Sequence, residues 1–165
     1  ELAALAILVA AARLQRVAAG RTLREGGVMA LLLTTLMRLV FLLFAEDRSL
    51  LPIEHPHYAR HLSVLGLYQA LREAADRNPD TMHARFGAWP RLLALFRAVH
   101  RGVDHEFPGL GRQHLPARHG HLFDPDRFPF LEGRTRSELS QDSVEARAGV
   151  RTPSVSDHTL LTVLD

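Results

Sequence analysis

The 165-residue sequence contains no cysteine and no lysine. The first absence excludes disulfides, cysteine-ligated zinc and cysteine nucleophiles, and it agrees with an intracellular protein. The second means that all 20 basic residues are arginines, so the sequence pI is 9.9 although the net charge is only +2. Arginine suits phosphate contacts, but a high arginine content is also typical of a GC-rich genome. The composition alone is therefore weak support for nucleic-acid binding.

The sequence also lacks the common catalytic motifs. It has no glycine-rich phosphate loop, because Gly109-Leu110-Gly111 has neither a preceding strand nor a third glycine. There is no G-x-S-x-G elbow, and the absence of lysine excludes the usual PD-(D/E)xK nuclease site. We therefore predict no catalytic, cofactor-binding or metal-binding residue in this segment.

Ten histidines raise the question of a metal site. His57 and His61 are four residues apart, a spacing that lets two imidazoles share one ion on a helix face, and His55 lies just before them. The pair lacks the intervening glutamate of a zinc-protease helix. A second group matches no known ligand spacing: His114, His119, His121, Asp124 and Asp126. Solvated or capping histidines are the favoured interpretation of both groups.

Apolar residues recur with helical periodicity over most of the chain. The predicted helices span residues 2–19, 28–47, 58–77 and 89–100, and Ser156-Asp157 resembles the N-cap of a last one. No segment alternates clearly enough to be predicted as a strand. The expected fold is mainly α: a multi-helix domain with a long irregular loop rich in proline, glycine and histidine.

The predicted helices and the changes in composition suggest four regions. They are a helical domain over 1–101, an ordered irregular loop over 102–134, a polar and mobile linker over 135–153, and the start of a truncated helix over 154–165. The chain begins with glutamate rather than methionine and ends within an apolar stretch. We therefore expect it to be a fragment of a larger protein.

The stretch from 28 to 45 is nearly long enough to span a bilayer, which takes ~20 residues. Arg38 lies at its middle, where a charge costs at least ~2.5–3.5 kcal/mol. On a helical wheel, Thr34, Thr35, Arg38 and Glu46 fall on one side. This pattern predicts a packed helix with a polar seam. A buried arginine needs a partner, and we expect Glu46 or a carboxylate of a neighbouring helix. The alternative is a stripe that faces nucleic acid or another domain.

Two stretches resemble parts of a known family. "LMRLVFLLFAEDRSLLP" (36–52) is similar to the "LLYRLLFLLYAEDRGLLP"-type block that precedes the catalytic domain of large adenine-specific DNA methylases. These are the Type IIG restriction–modification methylases and their relatives in phage-defence systems of the BREX and DISARM kinds. "HLFDPDRFPFLEG" (121–133), after a "LPARHG" lead-in, resembles a second block of the same proteins. "VSDHTLLTVLD" (155–165) resembles the helix just before the methyltransferase core.

The resemblance implies that the chain is a fragment of a larger α/β methyltransferase. It would be the non-catalytic helical N-terminal part of a cytoplasmic, S-adenosylmethionine-dependent N6-adenine DNA methyltransferase. Its partners would be double-stranded DNA, reached through the parent protein, and the downstream methyltransferase domain, with no membrane. The glycine loop for S-adenosylmethionine and the Asn-Pro-Pro-Tyr/Phe motif for the flipped adenine do not occur in the sequence. The resemblance marks seven positions as structural ion pairs or DNA contacts: Arg38, Glu46, Asp47, Arg48, Asp124, Asp126 and Arg127.

Two other classes of protein remain open on the sequence. One is a stand-alone helical binding or adaptor module without enzymatic activity, which would share only the two blocks. The other is a small membrane-associated helical protein, suggested by the apolar stretches at 2–19 and 28–45.

Overall fold

The computed structural model describes residues 25–128, 131 and 155–165, with the backbone alone for 25–32. The α-helices in these ranges are α1 (Glu25–Asp47), α2 (Val64–Arg77), α3 (Ala88–Arg101) and α4 (Asp157–Leu164). A π-helix (Tyr58–Leu62) precedes α2, and a 3-10 helix (Pro79–Ala84) follows it. The strands β1 (Val103–Phe107) and β2 (Gly111–Leu115) form an antiparallel hairpin. The predicted mainly α fold is thus confirmed.

Some of the predicted helices are present as predicted, and others differ or lie outside the described residues. Helices α1, α3 and α4 correspond to the predicted helices at 28–47 and 89–100 and to the one capped by Ser156. The predicted helix at 58–77 is in fact two helices, which meet at Ser63. The predicted helix at 2–19 and the predicted linker at 135–153 lie outside the described residues.

Ser63 separates the π-helix from α2. Its backbone is extended, with φ −79° and ψ 151°, and its hydroxyl accepts a hydrogen bond from the Gly66 N–H at 2.8 Å. The same hydroxyl donates to the Ala59 carbonyl at 2.6 Å. Gly66 has to be a glycine, because a Cβ there would lie 2.0 Å from the Ala59 oxygen. A serine N-cap and a close approach of two backbones therefore produce the break.

The β-hairpin lies within the loop that was predicted to be irregular, so the absence of strands there was a wrong prediction. Val103 pairs with Leu115 at its open end, and Phe107 pairs with Gly111 at the turn. Gly109 and Gly111 have φ of 77° and 81°, which favours glycine. The strands "VDHEF" and "GRQHL" are mostly polar and exposed, so they lack the alternation by which strands are recognised.

Helix α3 supplies the centre of the core, with eight buried residues: Ala88, Trp89, Leu92, Leu93, Leu95, Phe96, Ala98 and Val99. Helix α4 packs against α2, α3 and the 3-10 helix. Asp157, at the start of α4, accepts a hydrogen bond from the Ala88 N–H at 2.9 Å, and its own N–H donates to the Arg85 carbonyl at 2.8 Å. The last residues of the chain are therefore part of the helical core.

Helix α1 turns its polar side inward. The predicted polar seam is present, and Thr34, Thr35, Arg38 and Glu46 are all buried. The large apolar side chains on the other side of the helix are exposed: Leu33, Met37, Val40, Phe41, Leu43 and Phe44. None of the helices in the described ranges has the length and apolar character that a bilayer crossing requires.

Candidate functional site

Arg38 occupies a buried aromatic site and is only 1% exposed. Its Nε donates a hydrogen bond to the Leu122 carbonyl at 2.6 Å. Its guanidinium carbon lies 4.9 Å from the ring centre of Phe96, 5.2 Å from that of Phe128 and 5.7 Å from that of Phe123. These are cation–π distances. Arg38 therefore fastens α1 to α3 and to the segment that carries the second resemblance block.

Glu46 has a different set of partners. Its carboxylate, 5% exposed, accepts hydrogen bonds from the Val64 N–H at 2.8 Å, the Leu65 N–H at 3.2 Å and the Tyr58 hydroxyl at 3.2 Å. Burial raises the pKa of Glu46, and these hydrogen bonds oppose the rise. The pKa of Tyr58 is also raised, first by burial and then by the Glu46 charge. Glu46 thus caps the first turn of α2 and is not the partner of Arg38.

The other marked positions lie nearer the surface. Asp47 and Arg48 form an exposed ion pair at 3.6 Å. The Asp124 carboxylate accepts a hydrogen bond from the Asp126 N–H at 2.9 Å, which shapes the turn "DPD". Arg127 is exposed. The structure therefore separates the marked residues into two buried anchors, Arg38 and Glu46, and a set on or near the surface.

The histidine pair joins the π-helix to the hairpin. The rings of His57 and His61 are 5.1 Å apart. His57 also stacks on Phe107, with ring centres 4.0 Å apart, and its Nδ1 lies 2.9 Å from the Gln113 side-chain oxygen. Within the described ranges, no group of three or more histidines and carboxylates is arranged to hold a metal ion. The contacts of His57 are those of a packing residue.

The sequence did not predict a basic surface formed by the end of α3 and the segment after β2. The helix "AWPRLLALFRAVHR" carries three arginines and one histidine and no acidic residue. The Arg118 N–H donates to the Val99 carbonyl at 2.9 Å, which places the segment after β2 beside the end of α3. The His119 ring meets the His100 ring edge-on at 5.7 Å. We call Arg101, Arg118, His100 and His119 the basic face. The missed signal was the absence of acidic residues from α3.

No family model, curated protein or solved structure matches the chain. The connection to DNA methylases therefore rests on the two sequence blocks.

Proposed function

We propose that this chain is a non-catalytic helical part of an S-adenosylmethionine-dependent N6-adenine DNA methyltransferase of a restriction or phage-defence system. It scaffolds the catalytic domain and contributes to DNA contact. Such an enzyme acts on DNA in the cytoplasm, and we propose that this chain is located there.

One observation carries the proposal: the side chain of Arg38, in the first resemblance block, is held by the second block. The two blocks are far apart in the chain, since Arg38 and Leu122 are separated by 84 positions. Their contact includes the Leu122 carbonyl and the rings of Phe123 and Phe128 around one guanidinium, and the Phe41 ring meets the Phe123 ring at 5.4 Å. A shared packing unit is a physical reason for two such blocks to occur together in one family.

The basic face supports the DNA-contacting part of the proposal. Arg101 and Arg118 are exposed at the end of α3, next to two histidines. Arginine guanidinium groups form charge-assisted, often bidentate hydrogen bonds with phosphate oxygens. A surface of this kind contacts the DNA backbone without reading its sequence.

The exposed apolar side of α1 supports a scaffolding role. Met37, Val40 and Phe44 are 56–66% exposed, and a contiguous apolar surface of this kind marks an interaction site. In the proposed enzyme the catalytic domain packs against it. The same surface favours a second candidate function, an adaptor module that binds another protein and has no enzymatic activity.

Methyl transfer by the complete gene product distinguishes the two candidates. The coding sequence after residue 165 should encode a glycine loop and an Asn-Pro-Pro-Tyr/Phe motif. The purified product should transfer radiolabelled methyl groups from S-adenosylmethionine to adenines of duplex DNA. A coding sequence without these motifs, or a folded product that transfers no methyl group, contradicts the methyltransferase proposal and leaves the adaptor.

DNA contact through the basic face is tested by fluorescence anisotropy with a labelled duplex. Each lost phosphate contact should reduce the slope of log affinity against log salt by about one. We expect this reduction for Arg101→Gln and for Arg118→Gln. Arg85→Gln, which removes an exposed charge elsewhere, is the matched control. Equal slopes for all three variants would exclude the basic face as the contact.

A further inference from the structure

A cavity of about 520 Å³ lies where the π-helix, α2 and α3 meet. Its size is within the range of small-ligand sites. The residues on its wall that matter here are Arg60, His61, Gly66, Gln69, Glu73 and Arg91. Single-turn π-helical segments are frequent at functional sites, and this one contributes Arg60 and His61.

Arg91 reaches the wall of the cavity from α3. Its Nε donates to the His61 carbonyl at 2.8 Å, and its Nη2 donates to the Arg60 carbonyl. These bonds fix the guanidinium against the end of the π-helix, and burial lowers the pKa of Arg91. The remaining terminal nitrogen, Nη1, has no hydrogen-bond acceptor within the described part of the chain. Arg91 therefore adds a fixed positive charge to the wall of the cavity.

The electrostatic surroundings favour an anion. The pKa of His61 is lowered first by burial and then by the charges of His57, Arg60 and Arg91, so the site disfavours a further positive charge. Glu73, the acidic residue on this wall, is bound to Arg77 at 3.0 Å. The wall of the cavity thus carries two arginines, Arg60 and Arg91, and one carboxylate, which already forms an ion pair with Arg77.

Gly66 lies on the wall of the cavity, and the first turn of α2 packs there against the Ala59 carbonyl, which fills the space that a side chain at Gly66 would need. Gln69, one turn further along α2, adds a neutral amide that can donate a hydrogen bond. The wall of the cavity therefore carries two arginines and an amide donor.

We propose that this cavity binds a phosphate group, held by Arg60 and Arg91 with Gln69 as a third donor. The phosphate comes either from a DNA backbone or from a free phosphorylated molecule. The inference does not depend on the methyltransferase proposal, because binding of inorganic phosphate would stand if that proposal failed.

Nuclear magnetic resonance of the 165-residue chain tests the site, with inorganic phosphate as the first probe and a short DNA duplex as the second. Each titration is compared with sodium chloride at equal ionic strength. Phosphate should shift the resonances of Arg60, His61 and Gln69 and raise the pKa of His61, because a bound anion favours its protonated form. Arg60→Gln should weaken phosphate binding about tenfold, as expected for the loss of a charged hydrogen bond.

The test uses two variants: Arg60→Gln, which changes the proposed site, and Arg85→Gln, which lies outside it. Arg60 is exposed, so Arg60→Gln should leave the fold intact, whereas Arg91→Gln removes a support of the π-helix. Arg85→Gln, outside the cavity, should bind phosphate like the wild type. A change of the His61 pKa with the duplex identifies a DNA phosphate as the ligand. A change with inorganic phosphate alone identifies a free phosphate group. No change with either probe, or equal weakening by Arg85→Gln, overturns the proposal.

Discussion

Replacement of Arg38 tests the contact that joins α1 to α3 and to the second block. In Arg38→Ala the side chain loses its hydrogen bond to the Leu122 carbonyl, which contributes about 1.5–3 kcal/mol as a charged bond. It also loses the cation–π contacts with Phe96, Phe123 and Phe128, which contribute on the order of 1–2 kcal/mol together. A cavity remains where the methylenes were packed.

One effect opposes these losses. Burying the guanidinium costs the folded state several kcal/mol of lost hydration. Deleting the charge removes this cost from the folded state. The net loss of unfolding free energy should therefore be about 2–4 kcal/mol for Arg38→Ala. Arg38→Met refills most of the volume and should lose about 1–2 kcal/mol less than Arg38→Ala.

Urea unfolding, followed by circular dichroism, measures both changes. Arg85→Ala, at an exposed site, should stay within about 0.5 kcal/mol of the wild type. Hydrogen exchange locates the effect, because the amides that lie around Leu122 should lose more protection than those of α2. If Arg38→Ala unfolds within about 0.5 kcal/mol of the wild type, Arg38 does not hold the two blocks together.

Three further predictions concern local features. Burial raises the folded-state pKa of Glu46 above its unfolded value of 4.5, so its contribution to stability is fully present below pH 4.5 and is lost as the pH rises through the folded-state pKa. In urea unfolding from pH 4.5 to neutral pH, Glu46→Gln should remove this loss, and an unchanged pH profile would contradict the effect of burial. Gly66→Ala should cost about 2 kcal/mol or more because its Cβ meets the Ala59 carbonyl at 2.0 Å; Gly87→Ala, with nothing within 4 Å, should be nearly neutral, and thermal unfolding compares the two. Ser156→Ala should cost about 1 kcal/mol, since Ser156 caps α4 through the Thr159 N–H; a melting temperature equal to the wild type would exclude that role.

Local patterns predicted α1, α3 and α4 because each helix has its own periodic apolar residues or a recognisable cap. The same reasoning joined residues 58–77 into one helix, since apolar residues recur at helical spacing on both sides of Ser63. The break depends on where the Ser63 hydroxyl bonds and on the contact between Gly66 and Ala59. Such contacts between backbones leave little trace in hydrophobic periodicity.

Sequence patterns likewise predict some features of the candidate sites and miss others. A helical wheel places Arg38 and Glu46 on one buried side, and the structure confirms this. The wheel could not assign their partners, because those partners lie on other elements: Leu122 for Arg38 and Val64 for Glu46. The basic face likewise joins the end of α3 to the segment after β2, and the cavity joins the π-helix and α2 to Arg91 of α3. Tertiary structure, which the sequence pattern does not specify, brings these side chains together.

Helix α1 has its polar side toward the core and its apolar side toward solvent. A helix that faces solvent on its polar side needs no partner, but α1 buries its polar seam and exposes Met37, Val40 and Phe44. The buried seam is occupied, since Arg38 lies among three aromatic rings and Glu46 caps α2. The exposed apolar side is costly in water, because each of these half-exposed side chains forgoes about half of the ~1.5–3 kcal/mol that full burial contributes. Helix α1 therefore packs one side against the described core and exposes an apolar side to which a further layer of protein could bind; under the proposed function that layer is the catalytic domain.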